Sequence, residues 1–60
     1  MSFREEIATL RVRIARAESE RDSWRISGRQ EKYLEAYSMV EALALQLDLL
    51  REAARKSAGR

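Results

Sequence analysis

Trp24-Arg25-Ile26-Ser27-Gly28-Arg29-Gln30-Glu31-Lys32-Tyr33, residues 24–33, separates two hydrophobic patterns that do not share a phase. On its N-terminal side Phe3, Ile7, Leu10, Ile14, Ala17, Arg21 and Trp24 recur at alternating steps of four and three. That is a helical seam of period 3.5 with one polar member, Arg21. On its C-terminal side Tyr33, Ala36, Val40, Leu43, Leu47, Leu50 and Ala54 form a second such seam. Continuing the first frame would put core positions at Gly28, Glu31 and Glu35, so the second frame starts five residues out of step. Coiled coils absorb insertions of three or four residues, not five. Gly28 sits at the break, and Ser27-Gly28-Arg29-Gln30 has the spacing of a helix-starting capping box with glutamine at its third position. One helix therefore ends near Ile26 and another begins near Gly28. One long bent helix, the alternative, leaves these stop and start signals unexplained.

The chain is rich in Ala, Leu, Glu and Arg, has no proline and only two glycines, and so favours helix throughout. Ser2-Phe3-Arg4-Glu5 reads as a capping box at the start of the first helix. Folding the two seams back on each other pairs Phe3 with Ala54, Ile7 with Leu50, Leu10 with Leu47, Ile14 with Leu43, Ala17 with Val40, Arg21 with Ala36 and Trp24 with Tyr33. Large residues meet small ones at both ends of this ladder, as interdigitating layers require. Opposite Ala36 the stem of Arg21 has room, with its guanidinium reaching water or Glu18. The expected fold is all-α: an antiparallel two-helix hairpin, helical over about 3–26 and 28–56, in a single domain of residues 1–60 whose last residues, 57–60, fray. Arg55-Lys56-Ser57-Ala58-Gly59-Arg60 suits a helix C-terminus, with cations on the dipole and glycine as the stop.

Sixty residues cannot bury much. Below roughly 70–80 residues a core supplies only about 3–5 kcal/mol, and small scaffolds add disulfides, metals or oligomerisation. There is no cysteine, so disulfides and thiolate metal sites are excluded; with no histidine, the commonest general base and neutral metal ligand are missing. Oligomerisation is the stabiliser left. The second helix calls for it, because eleven of the fifteen residues from Ala36 to Leu50 are apolar. Leu34, Tyr37, Met39, Ala44, Leu45 and Leu49 lie outside its seam, with Ala53 beside Met39. A helix apolar nearly all round is a buried helix. On the first helix Ala8, Val12 and Ala15 form a small-residue stripe that admits a close neighbour. The expected oligomer interface comprises Ala8, Val12, Ala15, Leu34, Tyr37, Met39, Ala44, Leu45 and Leu49. The expected assembly is a dimeric four-helix bundle or a higher oligomer, with the second helix central. The bland alternative is that Leu45 and Leu49 are scattered surface leucines.

In its two heptad seams and short turn at Ser27-Gly28, nearly the whole chain resembles the Rop-like proteins, small bacterial helical hairpins that dimerise into four-helix bundles. The resemblance implies that fold and, from Rop itself, binding of paired RNA loops. It is one of pattern, so no RNA-contacting position carries over.

Glu31 and Glu35, like Glu18 and Asp22, are four apart on one face. Such pairs hold metals only when buried with histidines in a bundle core, and a solvated face is the favoured reading. Trp24, Tyr33 and Tyr37 gather at the turn end beside Arg21, Arg25 and Arg29. They could stack on bases, but capping the core is the simpler role. Arg4, Arg11 and Arg25 share one edge, with Arg51 on that side, and could grip a phosphate backbone. Glu18 interrupts that edge, and twelve basic against ten acidic residues give a net charge of only +2. No catalytic residue, cofactor or metal is expected. The N-terminus MSFREEIATLR carries charges where a secretory signal needs an apolar run, and no stretch reaches the ~20 apolar residues of a bilayer span. The expectation is a cytoplasmic, non-enzymatic protein acting through self-association and protein–protein contact as an adaptor or regulatory subunit, with RNA binding through the arginine edge as the alternative.

Overall fold

A computed structural model describes residues 2–58 as two long helices, α1 (Phe3–Ser27) and α2 (Gln30–Ala58), packed antiparallel. The capping box at the start of α1 is formed. Ser2 adopts an extended backbone, its Oγ accepts from the Glu5 N–H at 3.2 Å, and its own N–H donates to Glu5 Oε1 at 3.3 Å. The capping box thus provides for two of the N–H groups that a helix start leaves orphaned, those of Ser2 and Glu5, while the Glu6 N–H makes the first bond of the helical ladder to the Ser2 carbonyl.

The turn differs from the expectation in one respect. Ser27 does not cap α2; it is the last residue of α1, and its hydroxyl donates to the Trp24 carbonyl at 3.2 Å. Gly28 follows with φ 76° and ψ 14°. Its N–H donates to the Arg25 carbonyl, and the Arg29 N–H donates to the Trp24 carbonyl at 3.1 Å. These two bonds are a Schellman closure, which needs a left-handed residue between them. A residue committed to that conformation cannot also open the next helix, so α2 starts at Gln30 rather than near Gly28, with the Tyr33 N–H returning to the Arg29 carbonyl at 2.9 Å. The connection is Gly28-Arg29 alone.

At its far end α2 continues through Ala58, two residues beyond the end near 56 expected from sequence. Gly59 and Arg60, read from sequence as the helix stop and tail, lie outside the described residues.

The core is a single seam. Leu10, Ala17, Leu43 and Leu47 form its buried cluster, flanked by the half-buried Ile7, Ile14, Val40 and Leu50. Ala36 is buried nearer the turn, while Arg21, Trp24, Tyr33 and Ala54 are half-buried. Phe3 is the exception among the seam positions: at the open end of the hairpin it keeps 39% of its exposure. The register is visible at both ends, since Phe3 and Ala54 line one groove and Trp24 and Tyr33 line one cleft. Even the best-covered large side chain, Leu43, remains 4% exposed, because one helix can shield only one side of another.

The molecule is long and thin, 49 × 15 × 13 Å between Cα positions, with a radius of gyration of 14.1 Å. A compact 60-residue domain would have about 10 Å. Its accessible surface is 5045 Å², whereas a compact monomer of 7.0 kDa exposes about 4,000 Å². The difference is largely unpartnered helix.

Candidate interaction surface

Outside the seam, α2 continues to present apolar side chains. Leu34, Tyr37, Met39, Leu45 and Leu49 are all exposed, Leu45 and Leu49 by 59% and 60%. Ala44 is half-buried and Ala53 exposed. On α1 the stripe of Ala8, Val12 and Ala15 is exposed as well. The hairpin thus leaves every one of the nine residues expected at an oligomer interface at least partly open, and it does not bring the α1 stripe together with the α2 leucines. One exposed residue had not been singled out from sequence. Ile26, at the turn end of α1, is 85% exposed. The available signal was its place two residues past Trp24, on the side of α1 turned away from the seam, where a large apolar side chain has no partner within one hairpin.

Two grooves run along the hairpin, one on each side of the seam. In the first, of about 600 Å³, Glu6, Thr9, Leu10 and Arg13 of α1 face Gln46, Leu49, Leu50 and Ala53 of α2. The second, of about 740 Å³, lies between Phe3, Arg4, Ile7, Ala8 and Arg11 of α1 and Ala54, Ser57 and Ala58 of α2. Both are open troughs between helices rather than enclosed cavities. The first is walled by the apolar side of α2, whereas the second carries two arginines at its rim.

Of the arginine edge, Arg4 and Arg11 border the second groove and Arg25 the cleft at the turn; all three are exposed. The described residues contain two ion pairs, Arg21 with Asp22 at 3.1 Å and Arg55 with Glu52 at 3.8 Å, and neither involves this edge. Arg21 therefore finds its carboxylate in Asp22, its sequence neighbour, where the expectation was water or Glu18. From its place in the seam its Nε donates directly to Asp22 Oδ1. That hydrogen bond, seconded by the charges of Asp22 and Glu18 against some desolvation, raises the Arg21 pKa above its ordinary value. The guanidinium stays charged at every physiological pH, so it is a fixed cation and not a switch.

At the turn end, Tyr33 and Tyr37 stack at 48° with ring centroids 6.0 Å apart, a tilted contact that aromatic quadrupoles favour. Trp24 and Tyr33 line a cleft of about 300 Å³ with Arg25, Gly28 and Gln30. The acidic pairs Glu31/Glu35 and Glu18/Asp22 are exposed, and among the described residues no three His, Cys, Asp or Glu side chains gather to hold a metal. No described helix is long and apolar enough to cross a membrane. Comparison with protein-family models, with characterised proteins and with solved structures returned no match.

Proposed function

We propose that this chain is a small non-enzymatic interaction module, a helical hairpin that works by packing the outer surface of α2 against other helices. Its first assembly is a homo-oligomer, a dimeric four-helix bundle in the manner of the Rop-like proteins, and its role is that of an adaptor or regulatory subunit. The observation that carries this reading is the apolar surface that one helix leaves exposed, Leu34, Leu45 and Leu49 on its outer side with Tyr37 and Met39 on its two flanks. Soluble proteins rarely leave contiguous apolar patches uncovered, and those that do use them for binding. The excess of roughly 1,000 Å² over a compact monomer points the same way, since a stable interface removes about 800 Å² from each partner. Light scattering and sedimentation on the purified chain test the reading. A dimer or tetramer is expected, and a folded monomer at micromolar concentration would overturn it.

A second reading has one observation in its favour: the exposed arginines Arg4, Arg11 and Arg25 take part in none of the ion pairs among the described residues. They form an edge that could contact the phosphates of RNA or DNA. Glu18 within that edge and the small net charge of +2 weigh against it. Gel shifts at several salt concentrations separate the two readings, because phosphate contacts weaken steeply as salt rises.

A further inference from the structure

We propose that the occupant of the outer α2 surface is a second copy of this chain, laid antiparallel about a two-fold axis that passes beside Gln46. This rests on the interaction-module reading above and gives it a partner and a geometry.

Met39, Ala42, Gln46, Leu49 and Ala53 recur at steps of three, four, three and four, which makes a second seam of period 3.5 on α2 beside the one that faces α1. All five are exposed in the hairpin. The same steps continued outward reach Glu35 at one end and Lys56 at the other, also exposed. The stripe is centred on Gln46, and its two halves are complementary rather than alike. A two-fold rotation about that centre brings Met39 level with the other copy's Ala53 and Ala42 within one residue's rise of its Leu49, so at the two apolar levels a large side chain meets a small one. The same rotation brings Glu35 beside the other copy's Lys56, and this ion pair occurs twice by symmetry. Parallel alignment would set Glu35 against Glu35, Lys56 against Lys56 and Ala42 against Ala42, with repulsion at both ends and a gap between.

Gln46 is the one polar member of the stripe, and its position at the centre matches its chemistry. A carboxamide both donates and accepts, so on a two-fold axis it can hydrogen-bond to its own copy; a carboxylate or an ammonium there could not. A single buried amide of this kind fixes register in coiled coils at some cost in stability. The antiparallel arrangement also opposes the two helix dipoles. The groove between α1 and α2 on this side, about 600 Å³ and lined by Gln46, Leu49 and Ala53 with Thr9 and Arg13, offers the second helix a seat. The area fits as well, since the surplus of about 1,000 Å² per chain is what a standard interface of about 800 Å² per partner requires.

The test uses the unmodified chain first. Glu35 and Lys56 are about 32 Å apart along one helix at 1.5 Å per residue, so a zero-length carbodiimide bond between them has to join two chains. Peptide mapping of the coupled dimer is expected to find the Glu35–Lys56 linkage. The chain has no cysteine, so Gln46→Cys introduces a single thiol, which is expected to oxidise to a disulfide-linked dimer. Glu35→Cys and Lys56→Cys are expected to stay unlinked alone and to link when mixed. Sedimentation of the parent chain completes the set. Self-linkage of Glu35→Cys or of Lys56→Cys would show a parallel pair and overturn the proposal. A dimer that yields neither the Glu35–Lys56 linkage nor the Gln46→Cys disulfide would place the interface elsewhere, leaving the module reading intact. A chain that sediments as a folded monomer would end both.

Discussion

At the residue scale the hairpin depends on Gly28. Its φ of 76° is left-handed, and the two hydrogen bonds that close α1 hold only with a residue in that conformation. A Cβ added at Gly28 would meet no atom within 4 Å, so the cost of a side chain there is conformational and not steric. Gly28→Ala should therefore destabilise the fold by about 1 kcal/mol, left-handed strain partly offset by a stiffer unfolded chain. Gly28→Asn should lose less, because asparagine tolerates this region. Urea denaturation at fixed protein concentration measures the order, and an alanine variant as stable as the parent would show that the turn carries no strain. Arg21 offers a contrast. It occupies a core position yet needs no buried partner, because Ala36 opposite is small and Asp22 beside it accepts its Nε proton. An alanine facing a long polar side chain is a signal that sequence alone displays. Which carboxylate the guanidinium would choose is not, since Glu18 and Asp22 are both within a turn and rotamers decide between them.

At the scale of the helices, the seam of period 3.5 was legible because only one face of each helix can meet the other. The positions that the hairpin buries or half-buries are those of that period, with Glu6 and Ala44 added at its edges. Phe3 departs from the pattern because periodicity carries no information on where cover runs out, and beyond Ala54 α2 offers it only Ser57 and Ala58. The start of α2 was misplaced for a local reason. Ser27 can cap the helix ahead of it or bond back to the helix behind it, and the left-handed demand at Gly28 settled the competition in favour of Trp24. The open surface was legible in the same periodicity, since Leu34, Tyr37, Met39, Leu45 and Leu49 lie off the seam and stay exposed; how far each is covered, 59% exposed at Leu45 and 51% at Met39, is set by packing that periodicity does not carry. Substitutions on the two faces should behave differently. Leu43→Ala and Leu47→Ala each empty a buried position and should cost about 2–5 kcal/mol in thermal or chemical melts. Leu45→Ala removes a side chain that the hairpin leaves 59% exposed. The loss of stability expected from it is one of contacts between chains, and such a loss should shrink as the protein is diluted. A concentration-independent loss would mean that Leu45 supports the single hairpin.

At the scale of the whole molecule, the thin shape makes function a question of which side is covered and which stays in water. The edge of Arg4, Arg11 and Arg25 flanks the side away from the groove that holds Leu49. Replacing all three with glutamine lowers the net charge from +2 to −1. If that edge serves solubility, fold and oligomer should survive, since exposed charges are individually worth about 0–1 kcal/mol. Gel shifts with the parent and the triple variant decide the matter. Salt-sensitive binding of RNA or DNA by the parent, lost in a folded triple variant, would promote the nucleic-acid reading over the one proposed above. The short connection at Gly28-Arg29 also imposes an order of events. Bringing Trp24 to Tyr33 closes a loop of a few residues, whereas bringing Phe3 to Ala54 closes nearly the whole chain, and closure entropy grows with the length enclosed. The layers should then form as a zipper from the turn outward and open in the reverse direction. Amide exchange would display this as a gradient, with protection falling along both helices toward Phe3 and Ala54; protection strongest at that open end would mean that assembly, and not the turn, nucleates the fold.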